Sequence, residues 1–232
     1  MTATTTTKSN PLIELTVTLI IPSLILMKLS DPQDLGAVNA LLVALAFPLA
    51  WGARALLRER KLNLFAALGV VSIFLTGGIG LLQLDNQWLA VKEAAIPGLI
   101  GLAVAVSAYT RYPLVKVLLY SPAIMDVERV QRALAERGTQ AMFDARLKTA
   151  TWMLAGSFLF SSVMNYFLAT WIVTSPSGSP AFNEELGRLT LLSYPMIALP
   201  SMLIMGVALY YLARSIKALA GLNLTDTLKG HT

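Results

Sequence analysis

Apolar runs recur along the chain at about 12–29, 36–57, 62–84, 88–109, 151–173 and 189–212, with short polar turns between most of them. A helix rises about 1.5 Å per residue, so some 20 apolar residues match the roughly 30 Å hydrocarbon core of a bilayer. The chain is also poor in charge, at 13% against about 25% for soluble domains, and 56% of it is hydrophobic. The expectation is an all-α polytopic membrane protein: six transmembrane helices arranged as three hairpins, in a single integral domain over 1–232.

Charge placement orients those helices. The second run ends in Arg54, Arg58, Glu59, Arg60 and Lys61, and the segment after the fourth carries Arg111, Lys116, Arg129, Arg132, Arg137, Arg146 and Lys148 against Asp126, Glu128, Glu136 and Asp144. Arg214 and Lys217 follow the sixth. The turns at Asp31-Pro32-Gln33-Asp34 and Asp85-Asn86-Gln87 hold no lysine or arginine, and the Pro/Gly/Ser-rich loop 174–188 is net acidic. Basic loops stay in the cytoplasm, which places both termini there. Orientation thus accounts for the net charge of +5, and no nucleic-acid partner is expected. The N-terminus, polar and Thr-rich, lacks a cleavage site of the secretory type and is read as retained.

Within this plan, Pro22 interrupts the first run and predicts a kink near Ser23, Pro48 lies in the middle of the second, and Pro195 and Pro200 break the sixth. Residues 122–137 form a cytoplasmic amphipathic helix: Ser121-Pro122 reads as cap and first turn, Gly138 closes it, and Ile124, Val127, Val130 and Leu134 share a face. That helix either lies along anionic headgroups or packs under the bundle as a connector. A shift of 54 (85 − 31) superposes Asp31 on Asp85, Gln33 on Gln87 and Ala40 on Ala94, a pattern that internal duplication or chance apolar alignment would give equally.

The polar residues of greatest interest lie between Thr76 and Gly101, because ionisable groups inside a span are expensive. Lys92 and Glu93 occupy the fourth span; Lys92 is expected to snorkel outward and Glu93 to face the bundle beside Pro97, Ile100 and Gly101. Glu93, with Thr76, Gly77, Gly78, Asp85 and Lys92, either lines a polar pocket for a proton, cation or lipid headgroup, or is neutralised by a cation and fixes helix register. Gly77-Gly78 suits tight helix packing or a broken helix around an ion. Asn165 is expected to make an interhelical hydrogen bond and Glu14 to be a solvated interfacial carboxylate.

Enzyme chemistry finds little here. The chain has no cysteine, its one histidine is His231 in a polar tail, and no phosphate-cradling glycine loop is present. No catalytic residue, metal or cofactor is expected. Membrane lipid, other inner-membrane proteins and a second copy of the chain remain as partners, the last through the small-residue faces of the third and fourth spans.

The RERK run from Arg58, then TGGIGLL, LDNQ, the early Lys92 and YPLVKVLL at 112–119 resemble the bacterial intracellular septation protein A superfamily. MNYFLATW at 164–171 and the later LGRLTLL follow the same layout. The resemblance implies a small polytopic inner-membrane protein serving septation and envelope integrity, without an assigned reaction, and matches Gly77, Gly78, Asp85, Lys92, Pro113 and Asn165 to the family's pattern. Glu93, Pro97, the longer 121–150 segment and the loop 174–188 depart from it and mark a distinct subfamily.

Overall fold

The computed structural model describes residues 11–59, 64–110, 113–118, 120 and 125–223. In chain order these form α1 (Pro11–Leu15), a π-turn (Thr16–Ile20), α2 (Ile21–Lys28), α3 (Gly36–Glu59), α4 (Leu64–Leu81) and α5 (Gln87–Ser107). Next come α6 (Val115–Leu118), α7 (Val127–Glu136), α8 (Gln140–Ile172), α9 (Pro180–Ser193), a second π-turn (Tyr194–Ala198) and α10 (Leu199–Ala220). The elements of the described residues are all helical, with no β-sheet among them. Among the described residues, four stretches are long and apolar enough to cross a membrane: Gly36–Ala55, Gln87–Ser107, Gln140–Ile172 and Pro180–Ala220. The expected first span is helical but interrupted, and Ala67–Leu81 is apolar but shorter.

Both interruptions have a local cause. Pro22 cannot donate to the carbonyl one turn before it, and the hydroxyls of Thr16 and Thr18 donate back to Leu12 and Glu14 carbonyls at 2.8 Å each. The turn between α1 and α2 widens accordingly into a π-turn. Pro195 lies inside the second π-turn, and Pro200 follows in the first turn of α10.

Three expectations are corrected. Residues 174–188 are not all loop: Ser179 accepts a hydrogen bond from the Phe182 N–H, Pro180 sits in the first turn, and α9 runs from there. The helix expected to begin near Thr151 begins at Gln140; its 33 residues measure about 50 Å at 1.5 Å each. The amphipathic helix is shorter than 122–137, because Asp126 caps α7 by accepting from the Arg129 N–H; the expected Ser121-Pro122 start lies outside the described residues.

The chain packs as two compact units, Met1–Glu93 with Asn165–Pro195, and Ala94–Met164 with Met196–Thr232. In the first, α2 packs on α3 and α9, and α3 on α4. Leu26, Leu41, Ala44, Ile79, Leu89, Phe182 and Leu189 are buried there. Gly187 of α9 meets α2 so closely that a Cβ would lie 2.8 Å from the Ser23 carbonyl oxygen and 2.7 Å from Met27 Cγ. One turn earlier, Asn183 is fully buried and donates to Ser30 Oγ (3.0 Å) and the Ala37 carbonyl (2.8 Å).

The second unit centres on Val130, Leu134, Phe143, Leu147, Leu212 and Ile216. Val130 and Leu134, the apolar stripe of α7, are fully buried against α8 and α10, and Thr139 Oγ1 donates to the Leu219 carbonyl at 2.9 Å. That stripe is therefore covered by protein, which favours the connector over a helix lying on headgroups. Small residues set a second contact: Ser162 Oγ of α8 donates to the Ala94 carbonyl of α5 at 2.8 Å, beside Gly98, and Gly101 faces Phe158.

Candidate functional site

The one buried ammonium among the described residues belongs to the first unit. Lys92 sits one to two turns into α5, and its Nζ donates to Thr76 Oγ1 at 2.7 Å and to Ser72 Oγ at 3.3 Å. The two hydroxyls stand on one face of α4 because they are four residues apart. Thr76 passes its own proton to the Ser72 carbonyl at 3.0 Å, leaving an oxygen lone pair directed at the ammonium. Glu93 Oε1 completes the set at 2.6 Å from Nζ. An ammonium has three protons to donate, and Thr76, Ser72 and Glu93 take all three.

This geometry reverses the expected orientation of the pair. The Lys92 side chain is 6% exposed and points at α4, whereas that of Glu93 is 29% exposed. The ammonium is the costlier charge to strand in an apolar setting, and α4 offers it two hydroxyls that a shorter residue at position 92 would not reach. Glu93 then bends back along its own helix to meet it.

The remaining expected pocket residues are placed elsewhere. Gly77 faces α3, where a Cβ would lie 2.9 Å from Leu45 Cδ1, and Gly78 has nothing within 4 Å of that position. Asp85 is exposed in the turn before α5 and accepts the Gln87 N–H at 2.7 Å, a capping role. Asn165 is half-buried in α8, and Glu14 is exposed. Thus Thr76, Lys92 and Glu93 converge, joined by Ser72, while Gly77 serves packing, Asp85 serves capping and Gly78 faces open space. Ser72 was missed, although a serine four residues before a threonine in an apolar helix was the signal available.

Two polar ties in the same unit were also missed. Asn86 Nδ2 donates to the Ser175 carbonyl at 2.6 Å, and Ser177 Oγ donates to Asn86 Oδ1 at 2.8 Å. The Glu185 carboxylate accepts from the N–H and hydroxyl groups of both Thr174 and Ser175, at 2.8 to 3.2 Å. The 173–179 loop is thereby fastened to the α4–α5 turn and to α9. No group of three or more His, Asp or Glu side chains that would hold a metal ion occurs among the described residues.

Compared with protein-family models, curated proteins and solved structures, the chain matches none of them.

Proposed function

We propose that the chain is a six-span protein of a bacterial inner membrane, cytoplasmic at both ends, that serves envelope maintenance or division by holding membrane proteins or lipid, in the manner the septation protein A resemblance implies. The observation that carries this reading is the closed donor set of Lys92: with Thr76, Ser72 and Glu93 as acceptors, the ammonium acts as a tie between α4 and α5. A site built to turn over a solute needs a group left unsatisfied until the solute arrives, and Lys92 has none.

A second reading, a small-solute, ion or lipid transporter working near Gly77, Asp85, Lys92 and Glu93, has one observation in its favour. Glu93 is 29% exposed, so its carboxylate is reachable from outside the bundle. The two readings part on one experiment: depletion of the protein from its own cells, with rescue by wild type and by Glu93→Gln. The envelope reading expects depleted cells to divide or seal their envelope poorly and both forms to rescue them. A Glu93→Gln protein that is present and folded but fails to rescue would transfer the argument to transport.

A further inference from the structure

We propose, building on the envelope reading and its cytoplasmic placement of the basic loops, that Arg146, Tyr211 and Arg214 form a headgroup site for an anionic glycerophospholipid of the inner leaflet. All three belong to the second unit. Arg146 of α8 donates from Nη1 to the Tyr211 hydroxyl at 3.3 Å, and its guanidinium carbon lies 5.6 Å from the ring centroid. The Tyr211 ring is itself packed against the core around Leu212 and Ile216, so the guanidinium is held by a fixed partner. Since Tyr211 accepts from Arg146, its own O–H remains available to a phosphate oxygen.

Arg214 is exposed three residues further along α10, on the same side of the helix as Tyr211. Neither arginine is in an ion pair with an acid among the described residues. A guanidinium held on the Tyr211 phenol, with a second about one turn along the same face of α10, suits a phosphodiester, which each can grip with parallel N–H donors. The opposite flank of α8 differs, since Lys148 lies 4.5 Å from the Tyr109 ring centroid but Asp144, 3.9 Å from Lys116, adds a negative charge. An anion is better received at the Arg146 flank.

The apolar half of the ligand has a track as well. Leu203, Val207 and Tyr210 are exposed and fall within about 60° of Arg214 around the helix axis, counting 100° per residue. From Arg214 back to Leu203 the helix rises about 16 Å at 1.5 Å per residue, the length of much of one acyl chain. A phospholipid with its phosphate between the arginines would therefore lay a chain along Tyr210, Val207 and Leu203. A zwitterionic headgroup brings an ammonium into a doubly cationic site, so the site selects the anionic class.

The test uses the full chain in mild detergent, offered equal amounts of phosphatidylglycerol and phosphatidylethanolamine with matched acyl chains, with retained lipid read by native mass spectrometry. Wild type should retain phosphatidylglycerol preferentially, and Arg146→Gln and Arg214→Gln should each lower its binding roughly fivefold, from about 1 kcal/mol per basic residue near a lipid surface. Arg132→Gln, which removes the same charge from the exposed face of α7, should leave it unchanged. Equal retention of the two lipids, an Arg132→Gln loss as large as the others, or displacement of the lipid by inorganic phosphate alone would each overturn the site. Rescue by Glu93→Gln touches neither arginine and judges the envelope reading separately.

Discussion

Replacing Lys92 by methionine keeps the length of the side chain and removes its charge, which isolates what the ammonium does. Truncating one partner of a fully buried ion pair costs about 3–5 kcal/mol, most of it the penalty of stranding the other charge. Here the stranded partner is Glu93, 29% exposed, so solvent recovers part of that penalty and Lys92→Met should cost about 2 kcal/mol. Glu93→Gln leaves the ammonium its two hydroxyls and an amide oxygen, and should cost about 1 kcal/mol. The double variant strands nothing. Apolar or neutral replacement of a whole buried pair is often close to neutral, so it should cost about 1 kcal/mol, less than Lys92→Met alone. The coupling between the two sites is then about −2 kcal/mol. Reversible unfolding of the four proteins in bicelles measures all the terms. If the double variant is destabilised by the sum of the singles, Lys92 and Glu93 are not a coupled pair and the tie between α4 and α5 loses its electrostatic basis.

Gly187→Ala should destabilise by about 1–3 kcal/mol, since the new Cβ meets the Ser23 backbone carbonyl, which cannot swing aside; Gly78→Ala, with nothing within 4 Å, should stay within about 0.5 kcal/mol in the same unfolding assay. Leu134→Asp puts a carboxylate at a fully buried position and should release α7, seen as rapid hydrogen exchange of the 127–136 amides with little change in α9. Glu185→Gln keeps an acceptor but loses the charge that gathers the Thr174 and Ser175 donors, and should open the 173–179 loop to limited proteolysis.

Hydropathy alone located α3, α5 and α8 because each is a long apolar run, and such runs announce themselves without knowledge of their neighbours. It failed over 180–188, where Pro180, Asn183, Glu184, Glu185 and Gly187 read as loop composition. The start signal was nevertheless there in Ser179-Pro180, and Asn183 and Gly187, one turn apart, are the small and polar positions that let α9 approach α2. The apolar face of α7 was legible too, but periodicity names a face without naming what covers it. The direction of Lys92 was not legible for a related reason. Its partners Thr76 and Ser72 lie 16 and 20 residues away in sequence, on another helix, and only the packing of α4 against α5 decides that they meet.

The closed set around Lys92 also limits what a ligand there would have to be. A proton or a metal cation arriving at Glu93 would meet an ammonium already 2.6 Å from Oε1 and would have to settle on the remaining lone pairs of the carboxylate against the repulsion of that resident positive charge. An anion arriving at Lys92 would have to displace Glu93 and leave that carboxylate to find solvent, which its partial exposure permits. Each charge-assisted hydrogen bond so broken is worth about 1.5–3 kcal/mol. Binding at the ammonium therefore requires an acceptor-bearing anion that replaces Glu93 bond for bond. Glu93→Gln, by weakening the resident acceptor, would strengthen such binding, whereas a cation site built on the Glu93 carboxylate would be lost. Opposite signs from one substitution separate the two chemistries, and an unchanged response to both kinds of ion leaves the tie as the whole role of the pair.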